Sequence, residues 1–183
     1  MIIVTLDGGE KYHVDVSFSG DGPTRPMPLK EEDTILNLGT QEIRLVRSAI
    51  AQFESDIKWW IYQYRNRPDT PWNSHYCFLE APFIHGDFEV MSYFACTQGY
   101  LPSNIVIVAF VRKGDRIGGK LMLINGLVKR NMGGRTKVVE ECKTEEERIA
   151  ALKEYFGITL THEQREGIQG QVTELTGDRP TVL

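Results

Sequence analysis

Apolar and polar positions alternate along much of the first half of the chain, the two-residue period of strands with one buried face. Ile2 to Leu6 is short, apolar and partly β-branched. Asp7-Gly8-Gly9-Glu10 predicts a hairpin turn, because glycine adopts positive φ without a Cβ clash. Residues 11–18 return as a second strand, with Tyr12, Val14, Val16 and Phe18 on one face and His13, Asp15 and Ser17 on the other. The stretch from Ser19 to Leu29 holds Gly20, Gly22, Pro23, Pro26 and Pro28 and reads as a loop. Segments 34–38, 42–50 and 57–64 predict further strands. Residues 65–73, with Pro68 and Pro71, predict a surface loop.

The second half brings in helical periods. Asp87 is placed to cap a helix through Gln98, which Gly99 ends, with Phe88, Met91, Phe94 and Ala95 on one face. Ile105 to Val111 is nearly continuous in apolar residues, the pattern of a strand buried on both faces. Lys113-Gly114-Asp115 turns the chain, and 119–124, 127–131 and 135–142 continue as antiparallel strands. Gly118-Gly119 and Gly133-Gly134 both read as hairpin turns. Thr144 with Glu147 forms a capping box for a helix through Phe156, closed by Gly157. Thr161 with Gln164 opens a last helix, and 177–183 is an extended tail. The whole predicts an antiparallel barrel or sandwich with helices packed on it late in the chain.

A chain of 183 residues suffices for one large domain or two small ones, and 41% hydrophobic with 25% charged residues is ordinary for a globular protein. The formal net charge of -4 argues against a broad nucleic-acid surface, which needs a basic excess. Cys77, Cys96 and Cys142 are odd in number and lack Cys-x-x-Cys spacing, as expected of reduced thiols in a cytoplasmic protein. No apolar run approaches the roughly 18 residues of a membrane span. The first residues lack the basic flank and small-residue cleavage site of a signal peptide. The expectation is a soluble protein without nucleic-acid or membrane partners.

Chemistry is sparse. Cys77 has His75 two residues away and His85 near in sequence. A thiolate nucleophile needs a base and a group to orient that base; Asn73-Ser74-His75 also reads as a loop, and Cys77, between Tyr76 and Phe78, as packing. Cys96 reads as packing in its helix, and Cys142 stands on a charged strand end. The histidines at 13, 75, 85 and 162 show no metal-ligand spacing, so no metal is expected. Gly20-Asp21-Gly22 follows a strand but leads into prolines rather than a helix, which excludes a dinucleotide fingerprint. Asp15 is the exception. A carboxylate inside an apolar strand is costly unless hydrogen-bonded or paired. The residues alone leave two readings open: a structural group held by the Ser19–Gly22 loop, or a functional site.

Tyr12-His13-Val14-Asp15-Val16-Ser17-Phe18-Ser19-Gly20, followed by Gly22-Pro23-Thr24-Arg25-Pro26-Met27-Pro28-Leu29, resembles the arylamine N-acetyltransferase family, its fungal members most. Further matches keep the same order: Gln63-Tyr64, Asp87-Phe88-Glu89 with its helix, Pro102-Ser103, Thr144 to Leu160, and the tail Gly177 to Leu183. The resemblance spans essentially the whole chain. It implies a truncated cysteine-proteinase-like fold of α+β class, a mostly antiparallel β-barrel over residues 1–85 followed by an α/β lid domain over 86–183. It also implies acyl transfer from acetyl-CoA or malonyl-CoA to an aromatic amine or hydrazine through a Cys–His–Asp triad. Asp15 matches the triad Asp. Ser103 and Gly20 match positions beside the CoA thioester, and Phe18 and Ser17 positions lining the acceptor pocket. The family's nucleophile and histidine fall before Met1, so this chain carries one member of the triad. Ser17 and Ser19 replace two family glycines that let ligands approach the backbone, and their hydroxymethyl groups narrow the site. An alternative expectation is a non-catalytic remnant that binds a CoA-like or aromatic ligand or a protein partner. Self-association through exposed barrel surface is expected in that case.

Overall fold

The computed structural model describes residues 1–16, 20–52, 55–100 and 103–177. They divide into two compact units. The first comprises Met1–Pro82 together with Arg112–Gly119 and Met132–Arg135. The second comprises Phe83–Val111, Lys120–Asn131 and the residues from Thr136 onward.

In the first unit β1 (Ile2–Thr5) and β2 (Lys11–Val14) form the expected hairpin, with Ile3 opposite His13. The Leu6 N–H donates to Glu10 O at 2.9 Å, and Gly9 supplies φ 87° in the turn. β3 (Met27–Pro28) pairs with β2 inside the segment expected to be loop. Its proline is tolerated because β3 is the edge of the order β1-β2-β3. The second sheet runs β4 (Ile35–Leu36), β5 (Glu42–Ser48), β6 (Trp59–Arg65) and β7 (Asn73–Phe78), in that order. β7 begins where a loop was expected, since Asn73-Ser74-His75 has no strand propensity of its own and depends on pairing with β6.

The expected closed barrel is not formed among the described residues. Both sheets are open, and an isolated parallel bridge, Glu31 to Leu45, replaces a ladder between them. With two residues each, β3 and β4 are too short to carry a sheet around. The unit's core is Met27, Ile43, Leu45, Trp60, Tyr62 and Phe78, the inward alternation of β5 and β6 with one residue each from β3 and β7.

The second unit contains α1 (His85–Thr97), α2 (Glu145–Phe156) and α3 (His162–Glu166). A four-stranded sheet is ordered β11-β10-β9-β8. Its strands are β8 (Val106–Lys113), β9 (Arg116–Ile124), β10 (Leu127–Met132) and β11 (Thr136–Glu141). Four expectations change. Gly118 and Gly119 lie within β9; the turn is at Gly114, with φ 61°. β8 is half-buried rather than buried on both faces, and Phe110 is exposed. Asp87 is the third residue of α1 rather than its cap, and accepts the Ile84 N–H at 2.9 Å. No residue of α1 is buried, so Phe88, Met91, Phe94 and Cys96 do not pack inward as their spacing suggested. The α2 capping box forms as expected: the Glu147 N–H donates to Thr144 Oγ1, and the Thr144 N–H donates to Glu147 Oε2. Gly157 closes the helix in the left-handed region.

Leu123, Val128, Cys142, Ala151 and Leu152 form the second core. Arg148 is buried beside it. Its guanidinium pairs with Glu145 and donates to Thr173 O at 3.0 Å, tying α2 to the following chain. Truncating one member of a buried pair strands the other, so Arg148→Ala is expected to cost about 3 kcal/mol of stability in urea denaturation. Arg148→Lys should recover only part of the loss, because an ammonium lacks the planar fork.

Candidate functional site

Asp15 follows β2 directly, and its side chain is buried together with that of His13 two residues before it. The strand therefore turns its polar face inward, while Val16 is 95% exposed. A cage of aromatic rings makes this tolerable. The His13 ring stacks on Phe78 at 5.0 Å, Tyr76 at 5.9 Å and Tyr62 at 6.2 Å. Tyr76 lies opposite Tyr62 in the β6–β7 register, so both rings present to the same face.

Hydrogen bonding fixes the chemistry of this group. Tyr76 Oη lies 2.9 Å from His13 Nε2, and its hydroxyl is also hydrogen-bonded to the Asp15 carboxylate. A carboxylate can only accept, so the single hydroxyl proton of Tyr76 goes to Asp15. His13 Nε2 must then carry the proton it shares with Tyr76. Nδ1, which has no partner, is left as the bare lone pair of a neutral imidazole. Burial lowers the His13 pKa to about 4, with the Asp15 charge opposing, so the ring stays neutral near pH 7. Burial and then the Asp15 charge raise the Tyr76 hydroxyl well above its ordinary value, which keeps its proton in place.

Residues 20–24 are clamped by side chains of β6 and of the turn between β4 and β5. Gly20 is buried with φ 87°, a conformation that strains any residue with a Cβ. Tyr62 Oη donates to Asp21 O at 2.8 Å, and Gln41 Nε2 to Asp21 Oδ1 at 2.8 Å. Asn37 Nδ2 donates to Gly22 O at 2.9 Å, and its Oδ1 accepts from the Thr24 N–H and hydroxyl. Sequence reasoning passed over Tyr62, Tyr76, Asn37 and Gln41. The available signal was the burial-prone setting of Asn37 and Gln41, polar residues between Ile35-Leu36 and Ile43.

Ser17 and Phe18 lie outside the described residues, so the structure places neither acceptor-pocket candidate. Ser103 is exposed in the second unit. Cys77 is exposed on β7, and the His75 ring lies edge-on to Tyr64 at 5.5 Å. Burial, reinforced by Glu140, pushes the Cys142 thiol up to about 11, which makes it a poor nucleophile. Among the described residues no three His, Cys, Asp or Glu side chains group as a metal site, and no helix is long and apolar enough to cross a membrane.

The fold, antiparallel sheets followed by α2 and α3, is shared with solved arylamine N-acetyltransferases. The enzyme from Mycobacterium abscessus superposes with a TM-score of 0.72 at 21% identity, over 89% of this chain and 55% of that one. The Salmonella typhimurium enzyme gives 0.66 at 24% identity, over 91% and 58%. The Mycobacterium marinum enzyme in complex with CoA gives 0.64 at 19% identity, over 85% and 52%. The family model described as N-acetyltransferase matches residues 1–165, and the chain belongs to the arylamine N-acetyltransferase family. Among curated relatives, the N-malonyltransferase FDB2 of Gibberella moniliformis is 32% identical over 180 residues, 92% of this chain and 52% of its own length. The Fusarium pseudograminearum protein of the same name is 33% identical over 172 residues, 87% and 50%. The chain thus spans about half the length of the curated relatives it matches.

The neutral His13 has a measurable consequence. Its folded pKa lies below the unfolded value, so between pH 6.5 and about 4 the unfolded chain binds more protons. Stability present above pH 6.5 should fall by roughly 2 kcal/mol as pH drops toward 4.5. His13→Gln, whose amide can still donate to Tyr76, should flatten that slope in urea denaturation series across the same pH range.

Proposed function

We propose that this chain is the Asp-bearing portion of an acyl-CoA-dependent N-acyltransferase, in which Asp15 orients the imidazole of a Cys–His–Asp triad. The Cys and His are contributed by polypeptide outside these 183 residues. The observation that carries the reading is the buried Asp15 carboxylate with Tyr76 donating to it. A carboxylate accepts several hydrogen bonds at once, and in this reading a histidine N–H is one of its donors. The donor is a CoA thioester and the acceptor an aromatic amine or hydrazine. The names of the relatives favour malonyl over acetyl transfer. Ser103 and Gly20 would approach the thioester, and Ser17 and Phe18 the acceptor. Residues 1–85 and 86–183 correspond in this reading to the barrel and lid domains of a cysteine-proteinase-like fold, working in the cytoplasm.

The chemistry is ping-pong. The thiolate attacks the thioester carbonyl, the acyl–cysteine forms as CoA leaves, and the amine then takes the acyl group. Asp15 holds the histidine tautomer throughout. The 183-residue chain alone should show no turnover of malonyl-CoA or acetyl-CoA with an aromatic amine. Joined to the N-terminal half of a malonyltransferase relative it should acquire turnover, and Asp15→Asn should then lower kcat by about a thousandfold or more. Turnover by the chain alone, or an unaffected Asp15→Asn hybrid, overturns the reading.

One observation favours a second reading, a non-catalytic chain that binds a protein partner or itself. The exposed apolar residues concentrate on α1 and the segment before it: Phe83, Ile84, Phe88, Val90, Tyr93 and Phe94. On this reading sedimentation velocity shows concentration-dependent association that Phe88→Glu with Phe94→Glu abolishes. A monomer at all concentrations removes the self-association arm.

A further inference from the structure

A cavity of about 710 Å³ opens within the first unit, and neither His13 nor any ring of its aromatic cage lines it. Four cations line it, Arg25, Arg112, Lys113 and Arg116, against one carboxylate, Asp115. In a chain of net charge -4 this is a local reversal of sign. Like charges gathered at one opening repel one another, and such a cluster lowers its energy by taking up an anion. Arg25 is oriented by donating to Leu36 O. Arg112, Lys113 and Arg116 make no ion pair or side-chain hydrogen bond among the described residues, which leaves their donors available.

The wall is pinned by main chain. The Gly39 N–H donates to Ile117 O at 2.9 Å, and Gly39 has φ 55°. A Cβ on Gly39 would sit 2.9 Å from Gly118 O, so this approach requires glycine. The cations on the β8–β9 hairpin are thereby held facing the turn between β4 and β5. The lining also carries an apolar shelf of Leu36, Ile117 and Met132, of which Leu36 and Met132 are exposed and free to be covered. Guanidinium groups grip phosphate oxygens bidentately, and an apolar shelf beds a planar ring. The volume lies in the range of small-molecule sites.

We propose that this cavity binds a nucleoside diphosphate, its phosphates among Arg112, Lys113, Arg116 and Arg25 and its base on Leu36, Ile117 and Met132. The inference goes beyond the acyl-transfer reading and does not depend on it. The same chemistry can come from a free nucleotide or from the nucleotide end of CoA, and the two are separable. The ¹⁵N-labelled chain is titrated with ADP, with inorganic pyrophosphate and with CoA. ADP should shift the amides of Gly39, Ile117, Gly118 and Gly133 with one saturable constant that weakens as salt rises. Pyrophosphate should shift the same amides more weakly, lacking the base. Lys113→Glu with Arg116→Glu should weaken ADP at least about tenfold, whereas Lys153→Glu on α2 should not. An unchanged urea midpoint confirms that the double variant folds. CoA shifting the same amides in competition with ADP assigns the site to the nucleotide end of CoA; CoA leaving them unmoved assigns it to a free nucleotide. No amide shift with millimolar ADP, or equal ADP binding by the charge-reversed chain, overturns the proposal.

Discussion

A tyrosine hydroxyl has one proton to give, and at Tyr76 two buried neighbours lie within reach of it. The carboxylate cannot donate, so the proton is committed to Asp15 and the imidazole must supply its own. Much else in the first unit follows from that commitment. His13 is held as one neutral tautomer, and its ring can then be enclosed by Phe78, Tyr76 and Tyr62 without burying a cation. The polar face of β2 can be the inward face, and Val16 is turned to solvent instead. Replacing the imidazole by an apolar ring would leave the tyrosine free to rotate its hydroxyl, and the carboxylate would lose a fixed donor.

Around this group the loop of residues 20–25 is held by side chains rather than by a ladder. Asn37 and Gln41 are themselves hydrogen-bonded at 2.8 Å, and each also holds a different part of the loop. A buried amide left half-satisfied is costly, so these contacts succeed or fail together. That cooperativity gives residues 20–25, rich in glycine and proline, one conformation.

What could be read from the sequence was what is local. The Asp7–Gly9 hairpin and the Thr144–Glu147 capping box depend on residues within a few positions of each other, and both formed where their spacing placed them. The Gly118-Gly119 pair failed as a turn signal because Gly114, four residues earlier, had already turned the chain. Residues 73–75 failed as a loop because β6 supplied the pairing their propensities lack. α1 was legible as a helix, but the spacing of Phe88, Met91 and Phe94 says only that a face is apolar, not that this chain covers it. Asp15 itself was visible as an anomaly, and a resemblance of motif gave it a role. Tyr76, 61 positions further on, gave no local sign of belonging with it.

The reason lies in register. Tyr62 stands opposite Tyr76 and Ile61 opposite Cys77, with a bulge immediately after Tyr62. A slip of one residue in β7 would exchange the faces of the strand. Tyr76 would leave the cage, and His75 and Cys77 would turn toward Asp15. The pair that spacing put forward as a nucleophile and its base is thus on the outward face for the same reason that Tyr76 is on the inward one. Side-chain period two makes the alternatives mutually exclusive, and the fit of Tyr76 against Tyr62, with ring centroids 4.9 Å apart and planes within 9°, favours the register that buries the tyrosine. The identity of the site is therefore decided by strand pairing between β6 and β7, before any single residue's chemistry comes into play.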